Sequence, residues 1–122
     1  MSETSTKVAT FKKLEIIIKP GKFEAVKKAM AASGYTGLTM SQVEGHGNQK
    51  GLSHTGGNGH FRLELLPKIR LEAVVTEHDL EPLIEAITKA ANTGEPGDGK
   101  IFVSDIKEVI RIRTGERGAK AL

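Results

Sequence analysis

Twice along this chain an alternating apolar stretch gives way to an apolar stripe at helical spacing, and then to a further extended stretch. In the first pass, Leu14, Ile16 and Ile18 alternate with Lys13, Glu15 and Ile17 over Phe11 to Ile18. A period of two predicts a strand. Pro20-Gly21 breaks it, and Phe23, Val26 and Met30 recur at helical spacing as far as Ala32. Ser33-Gly34 is a helix stop, with glycine supplying the left-handed cap. Thr36 to Glu44 reads as a weaker strand. In the second pass, Lys68 to Val75 carries Ile69, Leu71, Ala73 and Val75 on one side. Thr76 or Asp79 can cap the following helix, and Pro82 is expected in its first turn. Leu80, Leu83, Ile84, Ile87 and Ala91 form the helix stripe. A fourth strand is expected over Lys100 to Val103, resuming near Val109 to Ile112. The order βαββαβ predicts an α+β ferredoxin-like sandwich, an antiparallel sheet with both helices on one face. Ile17, Val43 and Val74 are left on the other face, a reason to oligomerise.

Between the two halves lies a segment of another kind. Gly45 to His60 holds six glycines with Asn48, Ser53 and Asn58 and almost nothing apolar. A long aperiodic stretch inside a small domain is usually functional or disordered; a plain hairpin connection is the alternative. Its histidines, His46, His54 and His60, follow no metal-ligand spacing, and neither does His78. The 122 residues suffice for one domain. Met1 to Thr10 is polar, lacks the apolar core of a signal peptide and is expected to be a flexible leader, with 117–122 as a tail. The absence of cysteine excludes disulfides and thiolate metal sites and fits a cytoplasmic protein. No apolar run is long enough to cross a membrane. A net charge of +3 suits anionic small ligands and is too small to argue for nucleic acid by itself.

Several basic residues bracket glycine-rich turns. Lys50 lies in the long segment, Lys68 opens the third strand and Lys100 follows Gly97-Asp98-Gly99. Arg111 and Arg113, two apart on an expected strand, leave the same face. Together these groups can hold a polyphosphate, arginine as a fork and lysine as a point charge. Glycine amides at 97 and 99 can add donors. The plainer reading is a solvated strand face. Gly94 to Lys100 has the spacing of a P-loop, but Ile101 stands where that motif needs Ser or Thr, and the stretch follows a helix instead of preceding one. No serine–histidine–carboxylate set is legible, although Glu64 and Glu72 are conceivable bases.

The runs Lys19-Pro20, Gly37-Leu38-Thr39, Gly47-Asn48-Gln49-Lys50-Gly51, Leu66-Pro67-Lys68, Gly97-Asp98-Gly99-Lys100-Ile101-Phe102-Val103 and Ile110-Arg111-Ile112-Arg113-Thr114-Gly115-Glu116 resemble the signatures of PII signal-transduction proteins, over about Phe11 to Glu116. The resemblance implies a homotrimer with nucleotide clefts between subunits, where ATP and ADP compete. Lys100, Arg111 and Arg113 would hold phosphates. Gly47, Asn48, Gln49, Lys50, Gly97, Asp98 and Gly99 would line the cleft, and Thr39, Glu72 and Val74 would lie near the adenosine. With ATP and magnesium, 2-oxoglutarate would bind beside Gln49, which helps ligate the metal, with Lys50 and Lys68 facing the acid or phosphate charges. Residues 47–62 would form the loop that engages a target protein, whether a transporter, an enzyme or a transcription regulator.

Departures from that pattern narrow the expectation. Phe61 stands where many members carry a modifiable tyrosine, Gly59 where some carry a serine, and Gly57 and Asn48 where arginines are common. Covalent control at those positions is not expected. Bicarbonate stands as an alternative effector, and a weak ATPase as an alternative of another class. RNA recognition shares this strand order but needs stacking aromatics on the middle strands, and Lys68 to Val75 has none.

Overall fold

A computed structural model describes residues 10–35, 37–49 and 62–122, with side chains for all of these except 46–49 and 62–64. The leader before Thr10, Thr36, Lys50 and the remainder of the long segment through Phe61 lie outside the described residues. The elements run β1 (Phe11–Ile18), α1 (Phe23–Ala32), β2 (Thr39–Gln49), β3 (Arg62–Thr76), α2 (Glu77–Ala91) and β4 (Gly99–Ile106), with 3-10 turns at Pro20–Lys22 and Gly118–Ala121. The sheet order is β2-β3-β1-β4 and every pairing is antiparallel. This is the ferredoxin-like α+β arrangement.

The period-two pattern of β1 sends Leu14, Ile16 and Ile18 to one face, where Ile69, Leu71, Ala73 and Val75 of β3 join them. Val26 and Met30 of α1 and Leu83, Ile87 and Ala91 of α2 close over that face. Removing each of the larger aliphatic side chains from water contributes about 1.5–3 kcal/mol. This core fixes which face the helices cover. The α1 stop is a Schellman turn: Gly34 is left-handed (φ 91°) and donates to the Ala31 carbonyl, while Tyr35 N donates to Met30 O. The turn leaves the Tyr35 hydroxyl to donate to Asp79, tying the end of α1 to the start of α2.

The opposite sheet face is open and carries charge at its centre. Glu15 and Glu72 are direct cross-strand partners, a placement that repels. Cations offset it: Arg70 lies 3.6 Å from Glu15 and 3.9 Å from Glu72, and Lys13 lies 3.5 Å from Glu72. Ile17, Val43 and Val74 are half-buried beside this network. Neither β1 nor β3 adds an aromatic to this row; Phe102 of β4, opposite Glu15, is a single exposed ring where an RNA platform stacks bases on aromatics of the middle strands.

Three expectations need correction. The second and third strands are longer than their side-chain alternation suggests. β2 runs to Gln49, pairing Gln49 with Arg62, so Gly45 to Gln49 is strand and not loop. Main-chain groups pair whatever their side chains, and glycine and asparagine leave no alternation to read. Since β1 ends at Ile18, opposite Ile69, the stretch Val43–Gln49 with Arg62–Lys68 is a two-stranded ribbon beyond the main sheet. Second, Val109 to Ile112 is not a strand. Ile110 makes a single bridge to Arg117 across a turn at Ile112–Thr114, closed by Gly115 N donating to Arg111 O. Third, Pro82 sits in the second turn of α2, as its sixth residue counting from Glu77. It forgoes one helical hydrogen bond there, a cost the packing of Leu83 and Ile87 outweighs.

The β1–β4 pairing demands glycine at one point. Gly99 has φ +112°, and a Cβ built on it falls 1.7 Å from the Ile17 carbonyl oxygen. Gly99→Ala should therefore cost on the order of 3 kcal/mol or more, read from the urea midpoint. Gly94→Ala, with φ +84° and nothing within 4 Å, should cost only about 1–2 kcal/mol. Equal effects of the two changes would mean that the close approach of β4 to β1 is not what requires Gly99.

Candidate functional site

The turn between α2 and β4 is built around Asp98. Its carboxylate accepts from Thr93 N (2.7 Å), Thr93 Oγ1 (2.5 Å) and Gly94 N (3.0 Å), and Lys19 Nζ lies 3.1 Å away. Asn92 Oδ1 also accepts from Gly94 N at 2.7 Å, and Thr93 Oγ1 from Glu95 N at 3.1 Å. The Thr93 hydroxyl, then the Thr93 amide, with Lys19 and Gly94 adding to them, hold the Asp98 carboxyl well below the usual carboxylate range. Asp98 therefore organises the turn through its own main chain. Thr93 and Lys19, which hold it there, are not among the expected site residues: Lys19 enters the sequence reading only through the Lys19-Pro20 run of the family resemblance, and Thr93 shows the ST-turn spacing to Glu95.

With the turn fixed, Gly97 and Gly99 take positive φ (95° and 112°), and Lys100 emerges exposed at the start of β4. Lys68 crosses from the ribbon to this turn, and its Nζ donates to Gly97 O at 2.7 Å. The Lys68 stem runs alongside Gly45, where a Cβ would meet it only in ordinary contact at 3.5 Å. Lys68, Lys19, the glycine turn and Lys100 thus share one end of the sheet, beside the ribbon. Gly47, Asn48 and Gln49 lie on that ribbon as strand residues, while the side chains of Asn48 and Gln49, and all of Lys50, lie outside what is described.

A second group gathers elsewhere. Thr39, Glu72 and Val74 line a concavity of about 550 Å³ together with Lys13, Ile106, Ile110 and Leu122. Arg111, adjacent to Ile110, has one terminal nitrogen 3.2 Å from Glu116 Oε1 and donates the other to the Leu122 main-chain oxygen at 3.2 Å. Arg113 is exposed on the turn, so the two arginines do not form the one-face strand pair their spacing suggested. Thr39 and Lys100 stand on opposite edge strands, three inter-strand spacings or roughly 14 Å apart. Arg111 lies past the far end of β4, and the six residues from Lys100 to Ile106 alone span roughly 20 Å. Within one chain the basic residues therefore form two separate groups.

Matched against known families, residues 11–116 fit the family model described as nitrogen regulatory protein P-II. The chain belongs to the P-II family. It is 46% identical over 111 residues to nitrogen regulatory protein P-II 2 of Methanothermobacter thermautotrophicus, covering 91% of this chain and 96% of the relative. It is 48% identical over 111 residues to the P-II protein of Mesorhizobium japonicum, covering 91% and 99%. Among solved structures it is similar to a Bacillus subtilis GlnK–ATP complex, with TM-score 0.78, 36% identity and coverage of 93% and 96%. It is also similar to Arabidopsis thaliana PII bound to citrate, with TM-score 0.76, 38% identity and coverage of 93% and 94%. The P-II chain is thus a member of a family of regulatory proteins, and its fold is theirs along nearly its whole length. Among the described residues, no helix is long and apolar enough to cross a membrane, and no three His, Asp or Glu side chains gather to hold a metal.

The anchoring of Asp98 has a pH signature. A depressed folded-state pKa stabilises the turn above the ordinary carboxylate value of 3.8 and loses that contribution as pH falls through the lower folded value. The NMR shifts of the Thr93 and Gly94 amides should accordingly stay constant from pH 7 to 4 and titrate only in stronger acid. A midpoint near 3.8 would show that the carboxylate does not hold the turn.

Proposed function

We propose that this chain is a non-enzymatic metabolic sensor of the cytoplasm that works as a homotrimer, binding ATP or ADP between subunits and signalling to a target protein through residues 47–62. The observation that carries the reading is the separation of the two half-sites. Lys100 with Gly97 and Gly99 cannot reach the Thr39–Glu72–Val74 concavity or Arg111 of its own chain. Both groups suit the two ends of one nucleotide if neighbouring copies bring them together. Phosphates would then meet Lys100 and the glycine amides of one subunit and Arg111 and Arg113 of the next, with the nucleoside against Thr39, Glu72 and Val74. Closed symmetry lets each interface repeat the same cleft. The ATP in the Bacillus GlnK structure supports the choice of ligand.

The same geometry supplies a route from ligand to target. Lys68 joins the ribbon to the phosphate turn through Gly97 O. A dicarboxylate such as 2-oxoglutarate binding near Lys68 and Lys50 would compete for that ammonium group and change how the ribbon is held. The citrate in the Arabidopsis PII structure, a polycarboxylate, supports an acid-receptive site. Magnesium fits this arrangement: it keeps water and takes phosphate oxygens, so it needs few protein donors, and Gln49 would be one. Bound with ATP it would balance phosphate charge; ADP offers one phosphate fewer. Isolated two-stranded ribbons are marginal by themselves. A difference of about 3 kcal/mol between ligand contacts in two ribbon states shifts their ratio roughly 150-fold.

Alanine at Lys100 or at Arg113 should weaken ATP by about 1–3 kcal/mol in calorimetry, the range for hydrogen bonds to charged groups. A subunit-mixing experiment tests the cleft directly. Lys100→Ala chains and Arg111→Ala chains, each a poor binder alone, should regain about a quarter of the intact sites when refolded together at random. No recovery would place both residues in the same subunit's site or in none. In a further titration, 2-oxoglutarate should tighten ATP–magnesium binding while bicarbonate leaves it unchanged; the opposite pattern would transfer the effector role to inorganic carbon.

A further inference from the structure

We propose that the turn Gly118–Leu122 is an intramolecular competitor for the nucleotide, occupying part of the half-site at Thr39, Glu72 and Val74 and leaving when the ligand enters; this rests on the nucleotide reading above. Two contacts place it there. Ala121 and Leu122 line the same concavity as Thr39, Glu72 and Val74, so apolar side chains border and narrow the space where the reading puts the nucleoside. The Leu122 main-chain oxygen accepts from Arg111 at 3.2 Å, so an oxygen of the turn uses a donor that the reading gives to phosphate. One five-residue turn thus matches both requirements of the ligand on this side, an apolar surface and an acceptor for a guanidinium.

The turn is attached in a way that permits release. Its base is clamped: Arg117 NH1 lies 2.8 Å from Glu108 Oε2, Ile110 bridges Arg117, and Gly118 N donates to Val109 O at 3.0 Å. Beyond that point the hold is light. Leu122 remains 40% exposed, and the final main-chain bond, Leu122 N to Ala119 O, is long at 3.3 Å. Gly118 has φ 75°, a conformation at the base of the turn from which glycine can pivot without steric cost. Glu116, whose Oε1 also accepts from Thr114 Oγ1 at 3.0 Å, stays within reach of Arg111 after the turn has left. Release therefore frees one side of the guanidinium fork for a phosphate while the other stays oriented.

A chain ending at Arg117 tests this, titrated calorimetrically with ATP beside the full chain. When a competing state is removed, the apparent dissociation constant falls by the fraction formerly blocked, so the shorter chain should bind about three- to tenfold more tightly. Equal affinities would overturn the competitor while leaving the nucleotide site standing. Weaker binding by the shorter chain would overturn it too, making the turn a wall of the site. Absence of ATP binding in both chains would remove the nucleotide reading and this inference with it. Hydrogen exchange on the full chain gives an independent readout should the shortened one fail to fold. ATP should speed exchange at the Ala121 and Leu122 amides, and protection there would refute release.

Discussion

The pairing of β1 with both β3 and β4 is the constraint on which the rest of the molecule depends. At Ile17 and Ile18 the neighbouring strand comes so close that only glycine fits at position 99. That contact ends the turn after α2 and starts β4, and it sets where Lys100 emerges. On the other side, Ile18 pairs with Ile69, which places Lys68 just beyond the end of β1 and within reach of Gly97. The interactions at the ribbon end of the sheet are therefore consequences of one strand register, and a slip of one residue would turn each side chain to the opposite face.

The two ends of the sheet are built differently, in keeping with different tasks. At the ribbon end, Asp98 gathers the amides and hydroxyl of its own turn and the Lys19 ammonium, leaving glycine main chain and Lys100 on the surface. Rigid, amide-lined turns of this kind favour anions. At the other end, the surface is a half-apolar concavity whose charged members are already partnered, Glu72 with Lys13 and Arg70, and Glu108 with Arg117, while Arg111 beside it is held by Glu116 and Leu122. A ligand of the kind proposed would displace existing partners there, so its binding would be a difference between similar interactions. Among the described residues, the ribbon end leaves Lys100 and glycine main chain open to a ligand without such exchange, whereas Lys68 is bonded to Gly97 and Lys19 is paired with Asp98.

Much of the fold was legible because the core faces follow simple periods. Leu14, Ile16 and Ile18, and Ile69, Leu71, Ala73 and Val75, alternate in the sequence and are buried in the structure. Leu83, Ile87 and Ala91 recur at helical spacing and are buried as well. The signal failed where side chains do not report the backbone state. Gly45 to Gln49 pairs as strand through main-chain bonds, and the Val109–Ile112 stretch alternates like a strand yet turns back on itself. At the candidate site, the glycines and basic residues announced themselves, whereas the roles of Lys19, Thr93 and Leu122 depend on contacts across 79, 5 and 11 positions of sequence respectively.

The amino-acid sequence by itself determined the element order and the helix-covered face, and it named the glycines and basic residues proposed to meet an anion. These follow from periodicity and residue chemistry, which are local properties. Only the tertiary structure decided that Asp98 faces its own turn, that Lys68 reaches Gly97, and that Lys100 opens β4 while Arg111 lies in the turn beyond its other end. Those outcomes depend on strand register and on the length of β4, distances that arise only once the chain has folded.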